Sequence, residues 1–166
     1  MQRLPMQISN DILIPHIGEL IQQGHTVTLP LRGYSMRPYL EDNRDKALLA
    51  PPPKELHVGD VVLAAIQPKR YALHRIVGIS GEAITLYGDG NFSPEHIRQQ
   101  DVIAIAKGFY RKGRNRLEST DSRAYNVYWK TWLRLRPIRR YLLALWRLYH
   151  YPRLTARQII NRFLKQ

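Results

Sequence analysis

Cysteine is absent from the 166 residues, which excludes disulfides, thiolate metal sites and a cysteine nucleophile. The histidines stand apart, with no His-x-x-x-His spacing that would suit zinc. No glycine-rich phosphate loop is present. No apolar run reaches the roughly 20 residues that a membrane-crossing helix needs. The run Tyr141 to Trp146, for example, is closed by Arg140 and Arg147. Met1 to Asn10 lacks the basic stretch and apolar core of a secretory signal. The expectation is a cytoplasmic chain with no metal and no cofactor.

Acidic residues are scarce in one region only. The net charge is +13, yet residues 1–110 balance 11 Lys/Arg against 11 Asp/Glu. Residues 111–166 carry 15 Lys/Arg against Glu118 and Asp121 alone. The asymmetry marks a neutral domain followed by a basic tail.

The hydrophobic pattern divides the chain in the same way. Residues 1–24 read as an N-terminal helix, with Ser9-Asn10-Asp11 as cap residues, apolar positions at 13, 17, 20 and 21, and Gly24 as the stop. Residues 25–110 read as a β domain. Short runs at 25–32, 46–50, 61–66, 71–79, 83–87 and 102–109 are separated by turn signals about every ten residues, which predicts a mostly antiparallel sheet. The stretch 88–100 reads as a loop, and 111–123 as a basic linker. Residues 124–166 read as a helical tail in three pieces. The first carries Tyr125, Tyr128, Trp129, Trp132 and Leu135; the second runs from Pro137 to about Tyr149; the third is capped by Thr155 and bears Ile159, Ile160, Phe163 and Leu164. On the second, Ile138, Tyr141, Leu142, Leu145 and Tyr149 share one face, while Arg139, Arg140 and Arg147 fall on the other.

Three short stretches carry chemistry. Gly33-Tyr34-Ser35-Met36-Arg37-Pro38 follows a strand, and such a turn can lift a serine hydroxyl clear while leaving backbone N–H groups free. Alone it is an ordinary turn. His74-Arg75 sits within an apolar strand, where a lone histidine is usually core. Gly88-Asp89-Gly90-Asn91, with Glu95 shortly after, reads alone as a β-turn. A serine needs a base, and a neutral imidazole serves at neutral pH. A carboxylate that fixes its tautomer improves it.

Taken in order with Gly59-Asp60-Val61-Val62 and Asp101-Val102-Ile103, these blocks resemble the signal peptidase I family and the related self-cleaving repressor-type serine peptidases. The likeness covers roughly residues 25–110. It implies that Ser35 is the nucleophile. His74, standing where the bacterial leader peptidases and repressors have lysine, implies the histidine-base subclass found in archaea and the endoplasmic reticulum. It offers Asp89 and Glu95 as the orienting acid; Asp89 is favoured because its block matches better. Gly33, Tyr34 and Ser35 supply the expected oxyanion turn. Met36, Pro38, Asp60, Arg75 and Asn91 are supporting positions, with Gly59-Asp60 read as a strand-entry turn. Arg37 is expected to be solvated, and His16, His25, His57, His96 and His150 incidental.

The expected function is therefore a serine endopeptidase that cuts a leader or precursor peptide. The competing class is an inactive peptidase-like binding protein. The tail admits three readings: an amphipathic helix on an anionic membrane, at its inner face; nucleic-acid binding, the weakest; and a helical cap on the β domain with its arginines in water.

Overall fold

The computed structural model describes residues 9–68 and 70–150. Helix α1 spans Asn10–Gln22. The strands are β1 Val27–Pro30, β2 Lys46–Ala50, β3 Val61–Gln67, β4 Arg70–Ser80, β5 Ala83–Tyr87, β6 Glu95–Arg98, β7 Val102–Tyr110 and β8 Leu117–Ser119. Helices α2 Arg123–Arg134 and α3 Arg139–His150 follow, joined by a short 3-10 turn at Arg136–Ile138. The strands form one antiparallel sheet in the order β1-β2-β7-β3-β4-β5-β6, with β8 on β7. The architecture is a mostly antiparallel open β sheet with three helices among the described residues.

Successive side chains of a strand point to opposite faces, so the unbroken apolar run of β3 serves two cores. Val61 and Leu63 pack with Leu49, Ala104, Ala106, Phe109 and the α1 residues Ile14, Ile17 and Ile21. Val62 and Ala64 pack with Ile76, Ile84, Leu86, Ile97 and Ile105. The α1 isoleucines recur at three and four residues, which turns one stripe of the helix onto the sheet. Beyond the helix the backbone reverses at Gly24, whose φ of +86° suits glycine.

Two strands lie where loops were expected. β6 falls in the stretch 88–100, and β8 falls in the segment read as a linker. Both are short and have few apolar residues. β6 buries only Ile97, and β8 has no fully buried residue, so neither leaves an alternating pattern long enough to read. β8 fits because Gly108 has no side chain: a Cβ there would come within 2.8 Å of the Glu118 carbonyl oxygen.

In the tail, the Ser122 hydroxyl accepts the N–H of Tyr125 and caps α2. Pro137 stands in the turn that opens the second helix, as expected. The helix expected from Thr155 lies outside the described residues. Among the described residues, no helix is long and apolar enough to cross a membrane.

Candidate active site

The chain leaves β1 at Pro30 and folds into a compact turn through Leu40. Leu31 N–H donates to the Asp45 carbonyl, and Gly33, at φ +88°, donates its N–H to Asp42 Oδ1 at 2.7 Å. Met36, Tyr39 and Leu40 are buried and pin the turn to the core, with Pro38 half-buried between them. Ser35 remains partly exposed. It lines a cleft of about 310 Å3 whose walls include Leu13 and Ile14 of α1, Leu29 to Gly33, and Tyr71, Ala72 and Leu73 of β4. Arg37 is not solvated as expected: it is buried, ion-paired with Glu41, and lies over the rings of Tyr34 and Trp146.

The wall formed by β4 ends one residue short of His74. His74 and Arg75 are consecutive in a strand, so they point to opposite faces and meet different acids. His74 Nδ1 lies 2.5 Å from Oε2 of Glu95, and Glu95 Oε1 accepts a bond from Arg70 at 2.7 Å. A carboxylate can only accept, so in the neutral imidazole Nδ1 carries the proton and Nε2 keeps the lone pair. Arg75 is fully buried and clamps Asp89 with two bonds, Nε to Oδ1 at 2.9 Å and Nη2 to Oδ2 at 2.7 Å. The expectation that Asp89 orients His74 is therefore corrected: Asp89 neutralises Arg75, and Glu95 holds the imidazole.

The loop carrying Asp89 lies directly against the serine turn. Gly90 N–H donates to the Ser35 carbonyl at 2.7 Å. A Cβ on Gly88 would come within 2.5 Å of that same oxygen, and one on Gly90 within 2.7 Å of the Tyr34 carbonyl. Only glycine permits this approach on either side of Asp89. Asn91 closes the loop with its N–H on the Gly88 carbonyl, and its own carbonyl accepts from Arg139. Asp60 accepts the N–H of His57, and the Gly59 carbonyl accepts from Arg75, so this turn is structural, as expected. The five incidental histidines are all exposed.

Helix α2 seals the buried pair. Tyr125 OH accepts from Arg75, Tyr128 OH donates to Asp89 Oδ2, and Trp132 Nε1 donates to the Asp89 carbonyl. Burial alone would press the Arg75 guanidinium toward neutrality, but the Asp89 carboxylate outweighs it and raises the pKa. Burial, reinforced by Asp89, pushes the Tyr128 phenol well above its ordinary range. These three aromatics carry no motif, but their helical spacing was visible; what the sequence did not reveal was the buried ion pair they cover. Arg70 gave no signal at all.

The structure thus ties Ser35 to Asp89 and Arg75, and His74 to Glu95. Among the described residues no hydrogen bond joins the Ser35 hydroxyl to His74. The Gly33 N–H, expected in the oxyanion turn, is already committed to Asp42. The Tyr34 and Ser35 amides donate to no other described group.

The hydrogen bond from His74 holds the Glu95 carboxyl below its ordinary value; burial opposes this, and the charges of His74 and Arg70 add to it. A carboxyl with a lowered folded-state pKa stabilises above its unfolded value and loses that contribution as pH falls through the folded one. The stability gap between the wild type and Glu95→Gln is therefore expected to be largest at neutral pH. It should shrink from about pH 5 downward, as read from urea midpoints. A gap that stays constant to pH ~3 would contradict the ion pair.

The chain matches no protein-family model and no curated protein.

Proposed function

We propose that this protein is a serine endopeptidase with a signal-peptidase-like β domain, cutting an extended leader or precursor peptide through Ser35, His74 and Glu95. The single observation that carries the reading is the buried His74–Glu95 pair, carried on the same strand whose preceding residues Tyr71–Leu73 wall the cleft that Ser35 lines. Three further features support it. The cleft wall Tyr71–Leu73 pairs with β3 on one side, while β5 joins β4 only from Arg75 onward. The other edge of that wall has no strand partner among the described residues, which suits an extended peptide adding by backbone hydrogen bonds. Leu13, Ile14, Leu29, Leu31, Leu63 and Leu73 line the cleft, which suits small or aliphatic side chains on that peptide.

In this reading Nε2 of His74 takes the Ser35 proton as Oγ bonds to the scissile carbonyl carbon. The carbonyl electron pair moves to oxygen, where the Tyr34 and Ser35 amides can receive it. Collapse breaks the C–N bond, and the imidazolium protonates the departing amine. Water, deprotonated by the same nitrogen, then releases the acyl group from Ser35. Glu95 keeps Nδ1 protonated and stabilises the imidazolium throughout.

A fluorophosphonate probe is expected to label Ser35, located by peptide mass spectrometry, and His74→Ala is expected to remove the labelling. Absence of an adduct on Ser35 would count against the peptidase. One observation favours a second reading, a peptide-binding protein that does not cut: the Ser35 hydroxyl and His74 are not hydrogen-bonded. In that case a peptide would bind the cleft with unchanged affinity in the Ser35→Ala and His74→Ala variants.

A further inference from the structure

Helices α2 and α3 have the same kind of composition but face opposite ways. α2 turns Tyr125 and Trp132 inward. α3 buries Arg139 and Leu143 and leaves its apolar row outside. Ile138 just before it is 47% exposed, and Tyr141, Leu145, Leu148 and Tyr149 are 56, 63, 49 and 82% exposed. Their spacing of three, four, three and one residues makes a single stripe.

This orientation is the reverse of what a capping helix adopts. A cap would place Leu145 and Tyr141 on the sheet and Arg139 in water. Here the Arg139 side chain goes inward, over the rings of Tyr87 and Phe92, to bond the Asn91 carbonyl, and its buried Nε has no hydrogen-bond partner among the described residues. Burial lowers the Arg139 pKa, against the pull of Tyr87 and Asp89. Exposing five large apolar residues while burying a cation is unfavourable in water alone.

The surroundings identify what covers the stripe. Residues 123–150 contain seven Lys/Arg and no acid, and Arg134, Arg136 and Arg140 are exposed. We propose that α3 lies in the surface of an anionic bilayer. The stripe enters the acyl boundary, Tyr141 and Tyr149 sit at headgroup depth, and the arginines reach lipid phosphates. A duplex or single-stranded nucleic acid would use the charges but leave the aliphatic row wet. A second copy of α3 would bring like charges together. Because Arg139 holds the Asn91 loop and Trp146 packs on Arg37, docking would hold the Ser35 cleft close to the lipid surface.

The test uses the full chain in sedimentation with vesicles of phosphatidylcholine alone and with one third phosphatidylglycerol. Binding is expected only with the anionic lipid, weakening as salt rises. Leu145→Asp and, separately, Tyr149→Asp are expected to lower the bound fraction about tenfold or more, with the circular dichroism unchanged. Both side chains are exposed, so neither change threatens folding. The proposal is overturned if the protein ignores anionic vesicles or retains a DNA oligonucleotide in their place. It also falls if both variants bind like the wild type, which would move binding to charge alone or to residues 151–166. A dimer that Leu145→Asp dissociates would overturn it as well.

Discussion

Ser35→Ala is expected to reduce peptide hydrolysis by ~10³-fold or more while leaving the thermal midpoint within a degree or two of the wild type. The size follows from the chemistry. In the proposed mechanism, removing Oγ removes the acyl-enzyme, and what remains is binding plus stabilisation of the oxyanion by the Tyr34 and Ser35 amides, which the substitution keeps. The small effect on stability follows from the geometry. The turn is held by Gly33 on Asp42, by Gly90 on the Ser35 carbonyl and by buried Met36, Tyr39 and Leu40, and none of these contacts uses the hydroxyl. A precursor peptide with a single scissile bond, followed by mass spectrometry, is the assay. A Ser35→Ala protein as active as its parent would remove the peptidase assignment.

The largest stability effect is expected at Asp89. Asp89→Ala leaves the fully buried Arg75 guanidinium without its counter-charge, at a cost of roughly 3–5 kcal/mol. It also strips the acceptor of the Tyr128 hydroxyl. The expected result is a sharply lower urea midpoint, read by tryptophan fluorescence. Replacing both partners, Arg75→Leu with Asp89→Leu, is expected to recover part of the loss, because the penalty lies in the unpaired charge more than in the missing bond. If Asp89 oriented His74 instead, Asp89→Asn would abolish activity in a protein of normal stability, and the double leucine variant would be no better than either single one. The geometry predicts the opposite ranking: Glu95→Gln acts on catalysis with modest effect on stability, and Asp89→Ala acts on stability first.

The sequence carried much of the site's composition but not its wiring. The apolar runs at 46–50, 61–66, 71–79, 83–87 and 102–109 all became strands, because alternation and turn residues are local signals. β6 escaped because an edge strand with one buried residue looks like a loop. The choice between Asp89 and Glu95 could not be made from motif similarity. It is decided by the pleat, which sends neighbours His74 and Arg75 to opposite faces, and the partner on each face comes from distant segments. Likewise the periodicity of residues 138–149 located the apolar stripe on α3 but not the direction it faces. That direction was fixed by the loop that Arg139 reaches, a long-range contact that leaves no local trace.

The seal that α2 places over Arg75 and Asp89 has a consequence for how the chain comes apart. The charge profile suggests a β domain that ends near residue 110 and a tail that could leave independently. Yet lifting α2 would withdraw three hydroxyl and indole partners from a buried ion pair and admit water to the centre of the sheet. The low-lying openings of this molecule are therefore expected at α1 or α3, whose hydrogen bonds do not include that pair. α2, β4 and the glycine loop are expected to exchange their amide hydrogens together, as one cooperative unit, and only when the whole sheet opens.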